Sequence, residues 1–351
     1  MSRSPLLEQI GWNVDRLVTT DFPSYGVIGP LYRGAVALQG GPLCMRAAEM
    51  LKENVAPGDT VILLTGLILP GHYPYGETDG PLGAAVLARA LAIGLKARVL
   101  VVVEPELTGL MGALLRVAEL PFVTLAALET ESGLHRPAAA VVGLSRDSAT
   151  AHADARSWIG SLNAKAVVAI EKAGTNAQGV YHMVGGADIS ATVGKGDAVF
   201  SVAAELGLVR IGIGDRGNEL GTGPIAEVTR ALLPFGTDCG CPCHGGVADQ
   251  TPADLAVPAV ISNWGAYGVA ACLAALHEQP DLLHSASLER RLTETAILNG
   301  GVEGMSGRAK LAVDGIGVDT SAAMAELLVE VYRAQSVRDP SPFSTPLIKK
   351  Q

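Results

Sequence analysis

Aromatic residues are scarce in this chain, at 4% of 351 positions, although hydrophobic residues reach 48% and mean hydropathy is +0.32. Ala, Val, Leu and Gly must therefore fill the interior, as expected of a parallel sheet covered by helices on both faces. Basic charge is also short: 26 Lys and Arg stand against 35 Asp and Glu, a net charge of −9 with pI near 5.3, and no Lys/Arg block occurs. That balance argues against a nucleic-acid partner. The longest low-charge run, Leu255 to His277, is interrupted by Pro258, Asn263, Trp264 and Gly265. It divides into a strand, a turn and a helix, so no membrane span is expected. The N-terminal stretch MSRSPLLEQIGWNVDRLV has no uninterrupted apolar core and no small-residue cleavage site, and reads as no signal peptide. Five cysteines, an odd number in a large chain, do not look like a disulfide framework, which favours a reducing, cytoplasmic setting.

What the chain does contain is alternation. Apolar β-branched runs at Thr60–Leu64, Arg98–Val103, Ala138–Leu144, Ala164–Ile170, Leu208–Ile213 and Ala256–Ser262 are separated by helical patterns. Those patterns cover Pro42–Asn54, Pro81–Leu95, Leu107–Ala118, Ala149–Leu162, Lys195–Leu206, Pro224–Leu232 and Ala266–Ala275, with further helices over 286–299 and 320–335. The fold class expected is α/β, a doubly wound, mainly parallel sheet with helices on both faces. Residues 1–338 read as a single domain and 339–351 as a loose tail. In such a sheet ligands gather beyond the carboxyl ends of the strands. There the sequence places Thr65-Gly66, Glu104, Ser145, Glu171, Asp215 and Asn263-Trp264.

The densest of these stretches is Ile211-Gly-Ile-Gly-Asp-Arg-Gly-Asn-Glu-Leu-Gly-Thr-Gly223, an apolar lead-in breaking into a glycine-spaced turn. It carries Asp215, Asn218 and Glu219, and glycine lets such groups crowd a small ligand or metal. Gly212, Gly214 and Gly217 also spell G-x-G-x-x-G. A pyrophosphate wants bare amides at a helix start, and Asp215 and Glu219 would set negative charge against it. No nucleotide cofactor is expected; a cation or a substrate amine suits the turn better.

Other constellations point to the same crevice. Thr78, Asp79 and Gly80 precede Pro81 at a helix start, ordinary capping chemistry that could also hold a substrate carboxylate on free amides. Glu171 ends a buried strand, an expensive place for a charge unless Lys172, an arginine or a ligand balances it. With Asp215 near, two carboxylates would bind a cation or split into an acid and a base. Tyr181 and His182 follow on a glycine-studded loop. Cys239-Gly-Cys-Pro-Cys-His244 offers Cys239, Cys241, Cys243 and His244 as soft ligands, without the two-residue gap of zinc knuckles. A metal loop, a redox-active thiol group and a compact turn all remain open there. Asn263 and Trp264 could orient a polar substrate and shed water, or Trp264 could pack under the sheet edge. Glu303 and Asp314 lie in two more glycine turns.

Together TDGPLGA (Thr78–Ala84), IEKAG (Ile170–Gly174), YHMVGGADIS (Tyr181–Ser190), IGIGDRGNELGTG, SNWGAYG (Ser262–Gly268), GGVEGMSG (Gly300–Gly307) and VDGI (Val313–Ile316) resemble the D-glutamate cyclase catalytic domains, in order, over roughly residues 20–320. The resemblance implies a hydro-lyase: the D-glutamate amine attacks its own side-chain carboxyl, water leaves, and 5-oxo-D-proline forms. It also implies a divalent cation, manganese favoured and zinc possible, with Glu171, Asp215 and Glu219 as the carboxylate cluster and Asn218 beside them. Tyr181, His182, Asn263, Trp264, Asp314 and the Thr78–Gly80 turn become substrate contacts. Arg216 and the Cys239–Asp254 segment depart from the family pattern, and bear on the substrate rather than the fold. An amidohydrolase opening a small lactam or cyclic imide is the rival enzyme. A non-catalytic binder of a small acidic metabolite is the rival outside catalysis, but such a binder should offer Arg and Lys where this chain offers carboxylates. A small-molecule substrate is the partner expected; self-association into a homo-oligomer is left open.

Overall fold

The computed structural model describes residues 4–130 and 137–333. The tail expected over 339–351 lies outside these described residues. Seven parallel strands build one sheet: β1 (Thr60–Thr65), β2 (Arg98–Val103), β3 (Phe122–Val123), β4 (Ala139–Gly143), β5 (Ala164–Ile170), β6 (Val209–Gly214) and β7 (Leu255–Pro258). Their order is β3-β4-β2-β1-β5-β6-β7. Helices cover both faces, so the α/β, doubly wound expectation holds.

The strand residues explain the layering. Along β1, Val61 and Leu63 join one core while Ile62 and Leu64 join another. Val99 and Val101 on β2 alternate with Leu100 and Val102 in the same way. Each strand is apolar on both sides because each side meets a helix layer, and the runs read as continuous rather than alternating.

The chain leaves β1 toward β2 and β4 and returns through β5 on the other flank of β1. The order therefore reverses beside β1 and β5, which opens a crevice at their carboxyl ends. A two-stranded ribbon, β8 (Ala312–Val313) and β9 (Ile316–Gly317), carries Asp314 at its turn.

Helices at Pro5–Val18, Ile28–Gln39 and Leu125–Thr130 and the β8–β9 ribbon add to the expected elements, and two further differences concern the strands. The run expected as a strand over Ala256–Ser262 ends at Pro258, and the following helix already begins at Ser262 (Ser262–His277). Capping accounts for the earlier start: Asp79, far away in sequence, accepts the amides of Ser262 at 3.0 Å and Asn263 at 2.8 Å. Second, the short edge strand β3 has only two residues, too few to give a periodic signal.

Candidate active site

Backbone pairing brings the acidic residues together. The amide of Glu171 donates to Ile213 O at 3.1 Å, and Ala173 bridges Glu219, so the loop after β5 runs beside the turn after β6. Within that turn Glu219 folds back and accepts the amides of Arg216 at 3.1 Å and Gly217 at 2.7 Å. A pyrophosphate on this G-x-G-x-x-G run would need those amides, and a carboxylate already holds them. Glu171 adopts a left-handed backbone, φ +47°, an uncommon conformation for a residue with a side chain. Gly80 sits over it: a Cβ there would meet Glu171 Cβ at 2.9 Å and Thr65 Oγ1 at 2.6 Å.

One ligand atom each from Glu171, Asp215 and Glu219 lies within 4.8 Å of the others, and the same holds for Asp79, Asp215 and Asp314. Asp215 belongs to both groups. Beside them is a cavity of about 90 Å³ lined by Glu77, Glu171, Asp215, Arg216, Asn218 and Asp314, with Tyr73 and Met183 among its apolar walls. Among the described residues Arg216 is the one cation lining it; its Nε lies 3.1 Å from Asp215 Oδ2 and its guanidinium stacks on Tyr25. Asn218 donates its Nδ2 to His182 O at 3.1 Å, while its buried Oδ1 has no partner among the described residues. An acceptor left bare in a polar cavity fits a ligand that brings a donor or a positive charge.

Crowding sets the electrostatics. Burial and then the neighbouring Asp215 and Glu219 hold the Glu171 carboxyl well above the ordinary range. Burial and then Asp314 do the same to Glu77. Asp215 is pushed up by burial, only partly offset by Arg216. Asp314 rises to about 7 through burial and Asp215. Asp79 rises to about 8 through burial and Asp314, despite its three amide donors. A raised folded value means that the native protein holds protons the unfolded chain has released. The stability these carboxyls contribute is whole below about pH 4 and is lost as pH rises through about 7 and about 8. Metal-free protein should therefore lose thermal stability between about pH 5 and about pH 8, and a divalent cation that displaces those protons should restore it. Denaturation scans across that window, with and without manganese, check this; a metal-free transition temperature that climbs throughout would contradict it.

The other candidate residues take different places. Lys172 does not balance Glu171: it pairs with Glu104 beneath the crevice, both side chains fully buried. Ser262 Oγ, not a cation, donates to Glu171. The amides of Gly80 and Gly83 both donate to Asn263 Oδ1, at 2.9 and 2.7 Å. The helix start at Pro81 thus has these two donors satisfied rather than bare for a substrate carboxylate. Asp79 and Asn263 cap each other's helices, and Thr78 Oγ1 is tied to Ala312 O at 2.9 Å. Trp264 is buried, donates to Ser321 and meets Phe22 edge-on, which is the packing alternative rather than a pocket wall. Tyr181 donates its hydroxyl to Asp197. Ser145 caps a turn at the sheet's far flank by accepting the Asp147 amide.

The thiol loop also reorganises. Cys239, Cys241, Cys243 and His182 converge, each offering an atom within 4.8 Å of the rest, a set that could hold a metal ion. His244 is not among them. It is 69% exposed and contacts Asp238 at 3.1 Å. Glu77, which faces Asp314 across Gly304, escaped the sequence reading because it stands one position before an ordinary capping run.

Residues 27–329 match the model of a family described as D-glutamate cyclase-like, C-terminal. The chain belongs to the D-glutamate cyclase-like family. It is similar to the human protein named D-glutamate cyclase, mitochondrial, with 29% identity over 324 residues. That alignment covers 82% of this chain and 48% of the human protein, so the chain spans about half of the relative's length. The name suggests an enzyme acting on a small molecule. Among the described residues no helix is long and apolar enough to cross a membrane.

Proposed function

We propose that this chain cyclises D-glutamate to 5-oxo-D-proline with loss of water, assisted by a divalent cation, manganese first. The observation that carries the reading is the clustering of Glu171, Asp215 and Glu219 at strand ends in a chain of this family. These three carboxylates, with Asn218 Oδ1 bare beside them, suit a hard divalent cation. Bound there, the cation supplies Lewis acidity toward the side-chain carboxyl of the substrate.

The remaining work falls to the protein's own groups. The substrate amine must be neutral before its nitrogen attacks the side-chain carbon. Asp314, raised to about 7, is poised to take that ammonium proton. As the C–N bond closes the ring, the nitrogen gives its second proton to the carboxyl oxygen, and Glu77, beside Asp314 and with its carboxyl held well above the ordinary range, hands that oxygen the other proton it needs to leave as water. Arg216 pairs with the α-carboxylate, and Asn218 Oδ1 accepts an N–H from the amine. With both ends of the amino acid anchored, only one hand brings the side-chain carboxyl within reach of the nitrogen. Tyr73, whose hydroxyl donates to Met183 Sδ at 3.4 Å, forms with it an apolar side of the cavity. The three free thiols of the loop suit a reducing compartment such as the cytoplasm.

Incubation with D-glutamate should yield 5-oxo-D-proline, while L-glutamate reacts at least about a hundredfold more slowly, the scale of near-attack positioning. Chirally resolved product analysis checks this, with lactams and cyclic imides run in the ring-opening direction. No turnover of either glutamate, but hydrolysis of a cyclic amide, would transfer the site to the amidohydrolase class.

A further inference from the structure

We infer that His182, Cys239, Cys241 and Cys243 form a closed, tetrahedral zinc site that pins the cysteine loop to one wall of the carboxylate pocket. This goes beyond the cyclase reading and does not depend on it. The sulfur separations are 3.2 Å (Cys239 to Cys241), 3.4 Å (Cys239 to Cys243) and 3.4 Å (Cys241 to Cys243). His182 Nε2 lies 3.3 Å from Cys241 Sγ and 3.7 Å from Cys243 Sγ. A zinc ion with bonds of about 2.3 Å to sulfur spaces its tetrahedral thiolates about 3.8 Å apart, so an outward shift of a few tenths of an ångström completes the shell. These sulfurs are too far apart for a disulfide, whose bond is about 2.05 Å, and all three are free thiols.

The surroundings are arranged for a metal. His182 Nδ1 lies 3.1 Å from Val180 O, an acceptor only, so Nδ1 carries the proton and the Nε2 lone pair faces the sulfurs. Donors point at the sulfurs as well: Asn176 Nδ2 and the Gly245 amide, each 3.4 Å from Cys243 Sγ, and the Cys243 amide 3.5 Å from Cys241 Sγ. Such donors favour thiolates over thiols. Four protein ligands leave no open position, the pattern of a structural rather than a catalytic zinc.

The loop needs such a clamp. Among the described residues its own apolar cluster is only Leu233, Cys239 and Val247, with Val184 and a few partly buried neighbours against it. So small a core supplies little stability, and metal binding in such a segment is folding energy. The clamp acts on the pocket through the backbone of its histidine ligand. His182 O holds Asn218, and the next two residues, Met183 and Val184, line the cavity. Soft thiolates here and hard carboxylates there sort two metals into two sites.

Elemental analysis of protein purified with zinc present should find one zinc per chain. Cys241→Ser and His182→Ala should each lose most of it, His244→Ala should keep it, and Asp215→Asn should keep it too. Hydrogen exchange should speed up in Cys241→Ser across residues 176–188 and 236–248 but not in β1. Should these variants fail to fold, the wild-type protein still decides the matter. Cobalt in place of zinc should give the sulfur-to-metal charge-transfer band and the strong visible absorption of a tetrahedral thiolate site, and titrating three thiols with a mercurial should release one zinc. Wild-type protein free of zinc and showing no thiolate–cobalt spectrum would overturn the inference. Zinc retained undiminished in both Cys241→Ser and His182→Ala would overturn it as well.

Discussion

Asp215→Asn is expected to cut turnover by about a thousandfold while leaving the fold intact, since several kcal/mol of charge stabilisation at about 1.4 kcal/mol per tenfold is at stake. Asp215 is the one residue shared by both carboxylate groups, so its charge bears on every arrangement of a cation there. The amide has nearly the same shape and can still accept from Arg216. Its effect on stability should run the other way. With no cation bound, burial and the neighbouring carboxyls make the ionised form of Asp215 costly, so a neutral amide there should leave metal-free protein at pH 8 as stable as wild type or more so. Activity within tenfold of wild type, with unchanged metal dependence, would count against the carboxylate cluster as the reacting centre.

The largest stability loss is expected at Lys172→Met. Lys172 Nζ donates to Glu104 and, at 3.1 Å, to Gly66 O, with no exposed surface on either partner. Glu104 also accepts the Gly194 amide at 3.0 Å, and its second oxygen has no partner among the described residues. Removing the ammonium strands a buried carboxylate and should cost about 3–5 kcal/mol. Replacing both members with apolar side chains, Lys172→Met with Glu104→Leu, should recover most of that loss, because desolvating the pair is itself costly. Chemical denaturation of the two variants tests this. A single Lys172→Met that unfolds within about 1 kcal/mol of wild type would show that the pair is solvated or dispensable.

Much of the fold could be read from the chain because its strands are apolar on both sides and separated by helix-length segments. The runs at Thr60, Arg98, Ala164 and Leu208 lead into strands at nearly the expected bounds. What depended on distant partners could not be read. Asp79 looked like a local cap and Asn263 like a substrate contact, yet each caps a helix that begins 180 or more positions away. Lys172 stands next to Glu171 in sequence but points beneath the sheet ends to Glu104. His244 adjoins three cysteines, and its left-handed backbone at φ +49° accompanies an exposed ring, while His182 from another loop approaches the sulfurs. Neighbours in sequence are thus poor guides to partners in a site assembled from five separate loops.

The most direct test of the proposed chemistry is a titration of manganese into protein stripped of loosely held metal, with 5-oxo-D-proline formation from D-glutamate followed at each step. The account predicts product formation that rises from near zero and saturates at one manganese per chain. Affinity for the ion should tighten as pH rises through about 7, where Asp314 gives up its proton. Asp215→Asn should show neither the tight site nor the product. A full rate before any manganese is added, or saturation unchanged in Asp215→Asn, would contradict it.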